Sequence, residues 1–256
     1  MEQRNRGIEA RLQRVFDGAR FGQPCYAFEE VTSTMDVAHE LAQQGAPEGT
    51  CVWAARQRQG RGRLGRTWES PEGGAYFSLI LRPARAPQEI PQLSLVAGLS
   101  AAEAIREVTG LSPSIRWPND LLLEERKVAG ILIEAKDGAA VLGVGINVAA
   151  HPDALPDTAT SLAACGAACD PYDLAARLCR RLEGWYDHWG AHGFAPIREA
   201  LRPWVSHFGE VVRVTLGTDQ EVEGQALDVD EAGRLLLRLE SGAIRPCEVG
   251  EVRFLR

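Results

Sequence analysis

The chain reads as an α+β protein, with a mixed β-sheet flanked by helices and then a small β-barrel. Three observations predict this. Between residues 114 and 148, four apolar runs follow at hairpin-like spacing, which favours a mixed or antiparallel sheet over a doubly wound parallel one. Amphipathic stretches stand before and after that group. After Trp204 the texture changes to short β-branched runs punctuated by Gly217, Gly224, Gly233, Gly242 and Gly250, the spacing of a small barrel.

Taken in order, residues 7–20 read as an amphipathic helix. Thr32 or Ser33 caps a second helix with Val37, Ala38 and Leu41 on one face, and Gly45 ends it. Residues 50–55 are a short apolar run leading into a segment rich in glycine and arginine. Residues 75–81 read as a strand, and 88–108 as a long helix with Leu93, Ala97, Ser100 and Ala104 turned inward. Further strands are expected at 114–117, 121–123, 128–135 and 140–148, and helices at 171–189 and 196–204. The five barrel runs are VVRVTL, EVEGQALDV, RLLLRL, AIRPCEV and EVRFL. The boundary falls near residue 207, with 1–207 as the larger unit and 208–256 as the barrel.

With 256 residues, 45% of them hydrophobic, the chain can bury a sizeable core. Its formal net charge is −7, so arginine-rich segments are local features on an acidic background. That argues against a general nucleic-acid binder, which carries basic charge across a whole face. Only Lys127 and Lys136 among 28 basic residues are lysines, which makes a lysine at a motif position notable. Six cysteines (Cys25, Cys51, Cys165, Cys169, Cys179, Cys247) form no CxxC pair, and no closed zinc site is expected. Cys51 reads as core, while His188 and His192 read as surface residues near a helix end. There is no signal core and no apolar run long enough to span a bilayer. A cytoplasmic protein with reduced thiols and no membrane partner is expected.

The densest chemistry lies between Arg56 and Trp68, where Gly60, Gly62 and Gly65 are interspersed with Arg58, Arg61, Arg63 and Arg66. Glycines so spaced let backbone N–H groups turn toward one point, and arginines add fork-shaped donors for phosphate or carboxylate. The segment reads as an anion-holding loop or as a solvated basic loop. It matches neither a P-loop nor a dinucleotide fingerprint.

In RWPNDLLLEERKVAG, residues 116–130, Pro118 keeps Trp117 extended and Asn119-Asp120 makes a polar turn. Lys127 enters the next strand, and Gly130 leaves room for a ligand against the backbone. A purely structural turn and an exposed lysine are the alternatives. In VLGVGINV, residues 141–148, alternation puts Gly143, Gly145 and Asn147 on one face and Leu142, Val144, Ile146 and Val148 on the other. A face so bare suits close approach by a ligand or by another backbone. Ser33-Thr34 stands at a helix start, where hydroxyls cap and free N–H groups can meet a carboxylate.

Together these segments resemble the biotin protein ligases, also called biotin–[acetyl-CoA-carboxylase] ligases. The residues that carry the likeness are Ser33-Thr34, Gln57 with GRGRLGRTW (60–68), WPND (117–120) with Lys127 and Gly130, and Gly143-x-Gly145-x-Asn147. It extends over nearly the whole chain from about residue 25. The resemblance implies a class II synthetase-like ligase core and an SH3-like C-terminal barrel. It implies that ATP and biotin, with Mg²⁺, give biotinoyl-5′-AMP and pyrophosphate, and that biotin then passes to a lysine of a biotin carboxyl carrier protein.

The same resemblance assigns roles. Lys127, Arg63 and Asp120 would be catalytic. Ser33, Thr34, Gln57, Gly60, Arg61, Gly62, Arg63, Lys127 and Gly130 would bind biotin. Arg61, Arg63, Arg66, Trp68, Asn119, Asp120, Lys127 and Asn147 would face the nucleotide, with Asp120 toward Mg²⁺ or the incoming lysine amine. Relatives that repress transcription carry a helix-turn-helix module before the Ser-Thr motif. About thirty residues precede it here, so no DNA binding is expected. A homodimer is expected by the same likeness. The motif runs STMD where relatives have STNQ-like sequence, leaving Met35 and Asp36 without assigned roles. Lipoate or octanoate ligases and transferases, of related fold, are the alternative; they carry an RRxxGGG-like segment in place of GRGRLGR.

Overall fold

The computed structural model describes residues 3–216, 220–248 and 250–255. Gly217 and Val249, the latter ending the AIRPCEV run, lie outside them. Helix α1 (Arg6–Val15) starts at Asn5, whose side chain accepts from the N–H groups of Gly7 and Ile8. It is shorter than the expected 7–20, because Gly18 takes a φ of 72° and turns the chain. Strand β1 (Cys25–Val31) is an element the sequence reading left out. Helix α2 (Thr34–Gln43) is capped by Ser33, whose hydroxyl accepts from Met35 N–H at 3.3 Å.

Strands β2 (Cys51–Gln57) and β3 (Ala75–Leu81) flank the glycine-arginine segment. The helix expected over 88–108 divides into a 3₁₀ segment, Pro87–Gln92, and α3 (Leu93–Thr109). Pro91 supplies no N–H for a continuous α-helix there. Then come β4 (Ser114–Arg116), β5 (Asp120–Leu123), β6 (Arg126–Lys136) and β7 (Ala139–Ile146). Helix α4 (Pro171–His192) opens on Asp170 as N-cap, and α5 (Ala195–Leu201) runs into a short 3₁₀ turn, Arg202–Trp204.

Seven strands form one sheet in the order β1-β2-β3-β7-β6-β5-β4. Only β1 and β2 are parallel; every other pair is antiparallel, so the sheet is mixed as expected. One face packs on α3 and α4 through Trp53, Phe77, Leu79, Leu93, Leu99 and Trp189, all essentially excluded from water. Each such side chain contributes roughly 1.5–3 kcal/mol of hydrophobic stabilisation. Trp189 Nε1 donates to Gln92 Oε1 at 2.7 Å, which satisfies the one polar atom the indole buries. On the opposite face α2 covers mainly β2, β3 and part of β7, through Val31, Met35, Ala38, Val52, Ile80 and Val141. Beside α2, Gly130, Gly143 and Gly145 give the sheet a stretch with no side chains of its own.

The C-terminal residues form a second sheet of five antiparallel strands. They are β8 (Val211–Leu216), β9 (Gln220–Val229), β10 (Leu235–Arg238), β11 (Ile244–Cys247) and β12 (Glu251–Phe254), ordered β11-β10-β9-β8-β12. This matches an SH3-like unit. It meets the preceding residues through Trp117 Nε1, in the turn between β4 and β5, which donates to Gly233 O at 3.0 Å, and through the ion pair of Arg202, in the turn after α5, with Asp228.

Candidate active site

The bare stretch of sheet is the floor of a cleft. Its walls come from the start of α2 (Ser33, Thr34, Met35), the end of β2 (Gln57) and the segment Arg61–Trp68. The turn Trp117–Asp120, the strands β6 and β7, and Gly250-Glu251 close the remaining sides. Alternation along β7 explains the floor. A side chain on Gly143 would put its first carbon 2.6 Å from Met35 Sδ, and one on Gly145 would put it 2.6 Å from Trp68 Nε1. Gly130 is restricted less severely, by Trp68 Cζ3 at 3.0 Å and Lys127 Cε at 3.1 Å. Here the glycines admit other side chains to the sheet surface.

One end of the cleft is neutral and hydrogen-bonded. Gln57 Oε1 accepts from Thr34 N–H at 2.9 Å and from Thr34 Oγ1 at 3.1 Å. Because the backbone N–H can only donate, this fixes the amide with its oxygen toward α2 and its NH₂ away. Gln57 Nε2 donates to Ser70 Oγ at 2.8 Å. Thr34 Oγ1 spends its single proton on Gln57, so Ser78 Oγ, 2.8 Å away, is the donor of the bond between the two hydroxyls.

The other end is charged. Arg63 Nη1 donates to Asn119 Oδ1 at 3.1 Å and to Gly250 O at 3.0 Å. Burial, followed by the like charge of Arg66, pulls its pKa below the ordinary arginine value against the opposing pull of Asp120 and Glu251. A guanidinium so desolvated gains most from an anion. Lys127 Nζ lies 2.6 Å from Asp120 Oδ1, and Arg116 Nη2 lies 2.8 Å from Asp120 Oδ2. The lysine contact is off the direction of a hydrogen bond, so Oδ1 is buried with no hydrogen-bond donor among the described residues. Lys127 Nζ also stands 5.1 Å from the centre of the Trp68 ring.

Two further arginines of the lining are held by carboxylates. Arg61 Nη2 reaches Glu134 Oε2 at 2.9 Å and Asp36 Oδ1 at 3.3 Å, and Glu134 also meets His39 Nε2 at 2.8 Å. Arg66 pairs with Glu251 Oε2 at 2.5 Å. Burial raises the Glu251 pKa, but its bond to Arg66 together with the charges of Arg66, Arg253 and Arg116 outweighs this and holds the carboxyl below its usual range. Within the loop, Gly62 N–H donates to Arg66 O and Trp68 N–H to Gly60 O, while Leu64 takes a φ of 55° at an exposed tip. Of the residues given biotin or nucleotide roles by the resemblance, Gly60 and Asn147 do not line the cleft; Arg58 and Gly65 of the loop also lie outside the lining. Gly60 lies behind the Gln57 wall, and Asn147 is buried with Nδ2 donating to Thr160 O at 3.0 Å. Sequence reasoning missed Ser70, Ser78, Met35 and Glu251. Of these only Met35, within the STMD departure, carried any signal.

The comparisons decide what the cleft belongs to. A pattern described as "Biotin/lipoate A/B protein ligase family" matches residues 27–150, and "Biotin protein ligase C terminal domain" matches 207–255. The bifunctional ligase/repressor BirA of Bacillus subtilis is 38% identical over 232 residues, covering 86% of this chain and 71% of the relative. The biotin–[acetyl-CoA-carboxylase] ligase of Paracoccus denitrificans is 36% identical, covering 82% of this chain and 92% of the relative. The chain belongs to the biotin protein ligase family. As a family member it is a ligase. It shares its fold with the biotin protein ligase from Aquifex aeolicus solved in complex with biotin and ATP. That structure superposes with a TM-score of 0.79 at 32% identity, over 91% of this chain and 99% of the other. These relatives are biotin ligases by name and do not favour the lipoate or octanoate alternative.

Proposed function

We propose that the cleft binds biotin and ATP side by side, forms biotinoyl-5′-AMP with release of pyrophosphate, and passes the biotinoyl group to a lysine of a biotin carboxyl carrier protein. The observation that carries this is the division of the cleft. A neutral end (Ser33, Thr34, Gln57) suits a ureido ring, and a cationic end (Arg63, Lys127) suits two anions. Unit charges 4 Å apart repel by about 4 kcal/mol at an effective dielectric of 20. A carboxylate therefore approaches an α-phosphate only where fixed cations offset that repulsion.

In this reading Lys127 bridges the biotin carboxylate and the α-phosphate, and the desolvated Arg63 stabilises charge that builds on the phosphorus oxygens. Lys127 is compact and no directed hydrogen bond fixes it to Asp120, so its ammonium turns toward phosphate, whose charge offsets the weakened attraction to Asp120. Trp68, beside Lys127, would offer the adenine a stacking face; Asn119 and Arg66 would hold the nucleotide side. Asp120 Oδ1, buried without a donor, then receives the incoming lysine ammonium and takes its proton as the amine attacks the mixed anhydride. The C–N bond forms as AMP leaves.

Magnesium fits this site only as part of the substrate. Both Asp120 oxygens face cations, and the described residues include no group of three or more metal-ligating side chains. Any Mg²⁺ belongs to Mg·ATP, and no step here runs through it. We also place the enzyme in the cytoplasm, with the ligase core in residues 1–207 and the SH3-like unit in 208–256. No helix among the described residues is long and apolar enough to cross a membrane. Biotin-dependent exchange of pyrophosphate into ATP tests the first half-reaction; exchange that is unchanged without biotin would refute it.

A further inference from the structure

Ser70 lies outside the cleft lining yet joins its two ends. Its hydroxyl is buried, accepts from Gln57 Nε2 at 2.8 Å and donates to Trp68 O at 3.2 Å. Its single proton is therefore committed to Trp68 O, and Gln57 takes one of its two acceptor positions. Trp68 is held on its other side by its own N–H, which donates to Gly60 O at 2.8 Å. The crossing is tight at three points. A side chain on residue 60 would put its first carbon 2.3 Å from Trp68 O, 2.8 Å from Ser70 Oγ and 3.1 Å from Gln57 Nε2. Gly60, outside the lining itself, is therefore what lets this relay close. Beyond it, the Trp68 indole lies over Gly130 and Gly145 and beside Lys127, at the charged end.

We propose that Ser70 is a positioning residue that couples the neutral end of the cleft to the charged end. A ligand that draws on the second N–H of Gln57 tilts an amide whose oxygen is already held by Thr34. The amide sets Ser70, and Ser70 sets the Trp68 peptide and so the indole. Biotin at one end then favours the Trp68 position that receives nucleotide at the other, and by linkage nucleotide favours biotin by the same factor. This rests on the biotin and ATP reading above. Ser78 serves as an internal contrast. It belongs to the same network and is also buried, but it supports Thr34 and makes no bond toward Trp68.

The test is calorimetric titration of biotin into the full chain, with and without a non-hydrolysable ATP analogue. In the wild type the analogue is expected to tighten biotin about 5-fold or more, the lower end of ordinary coupling. In Ser70→Ala the factor falls below about 2-fold, a near-complete loss of that coupling. In Ser78→Ala biotin binds more weakly but the wild-type factor persists. If Ser70→Ala does not fold, Ser70→Cys, of similar shape with a weaker S–H donor, takes the same test with the same outcomes. A wild-type factor of 1, a Ser70 variant that keeps the full factor, or equal loss in both serine variants overturns the proposal. Absence of biotin binding to the wild type overturns the functional reading itself.

Discussion

Replacing Lys127 by Ala removes the compact cation from the charged end while leaving Arg63 in place. Its ammonium is largely shielded, 2.6 Å from Asp120 Oδ1 and 5.1 Å from the Trp68 ring. Losing one preorganised donor to a developing oxyanion costs about 2.7–4 kcal/mol, or 10²–10³-fold in rate. Coulomb attraction of about 4 kcal/mol for a charge pair at 4 Å gives the same range. The stability cost is smaller, because Arg116 still pairs with Asp120 at 2.8 Å; a loss of about 1–3 kcal/mol covers the carboxylate oxygen left without its cation. The assay is biotin-dependent pyrophosphate exchange, with thermal unfolding measured in parallel. A folded Lys127→Ala variant whose exchange falls less than threefold would refute the assignment of adenylate chemistry to this ammonium.

Other predictions follow from the same geometry. Gly145→Ala places a methyl 2.6 Å from Trp68 Nε1, an overpacking of about 1–3 kcal/mol that displaces the indole and weakens nucleotide binding; unchanged affinity by calorimetry would count against Trp68 as the stacking face. His207 is fully buried, and burial, reinforced by nearby Arg116, lowers its pKa from 6.5 to about 4. The unfolded chain thus binds the extra proton first: stability is complete above about pH 6.5 and falls by about 2 kcal/mol at pH 5. His207→Phe should flatten that part of the denaturation profile, and an unaltered slope would show that other groups cause it. Biotin with ATP should protect residues 58–68 from trypsin, since ordering this loop excludes water from a hydrolysable anhydride; equal cleavage with and without ligands contradicts this. Glu251→Gln should change stability by under about 1 kcal/mol, as the Arg66 partner is exposed, yet speed cleavage of the same loop by releasing it from the C-terminal sheet.

Much of the fold was legible because its apolar runs are cleanly bounded. Strand β3 fills the run between Gly74 and Arg82 to the residue, and all five C-terminal runs appear as strands among the described residues. Strand β1 was not legible. Cys25–Val31 carries Glu29-Glu30 and lies at the sheet edge, with β2 on one side and only an isolated bridge from Arg4 to Phe28 on the other among the described residues, so its alternation is weak. The site was legible where a residue type was out of place: a lysine in an arginine-rich chain, or glycines where a strand wants side chains. Ser70 and Ser78 show no such oddity, since a lone serine acquires meaning only through what it touches. Glu251 reaches the cleft from 185 residues beyond Arg66, a distance no local pattern spans.

The central claim is that this cleft activates biotin for transfer to protein. Its most direct test is the intact mass of a biotin carboxyl carrier domain incubated with enzyme, biotin and Mg·ATP. The expected result is one biotinoyl group on one carrier lysine, dependent on both biotin and ATP. A carrier left unmodified, or acylated only when lipoate or octanoate replaces biotin, would contradict the account.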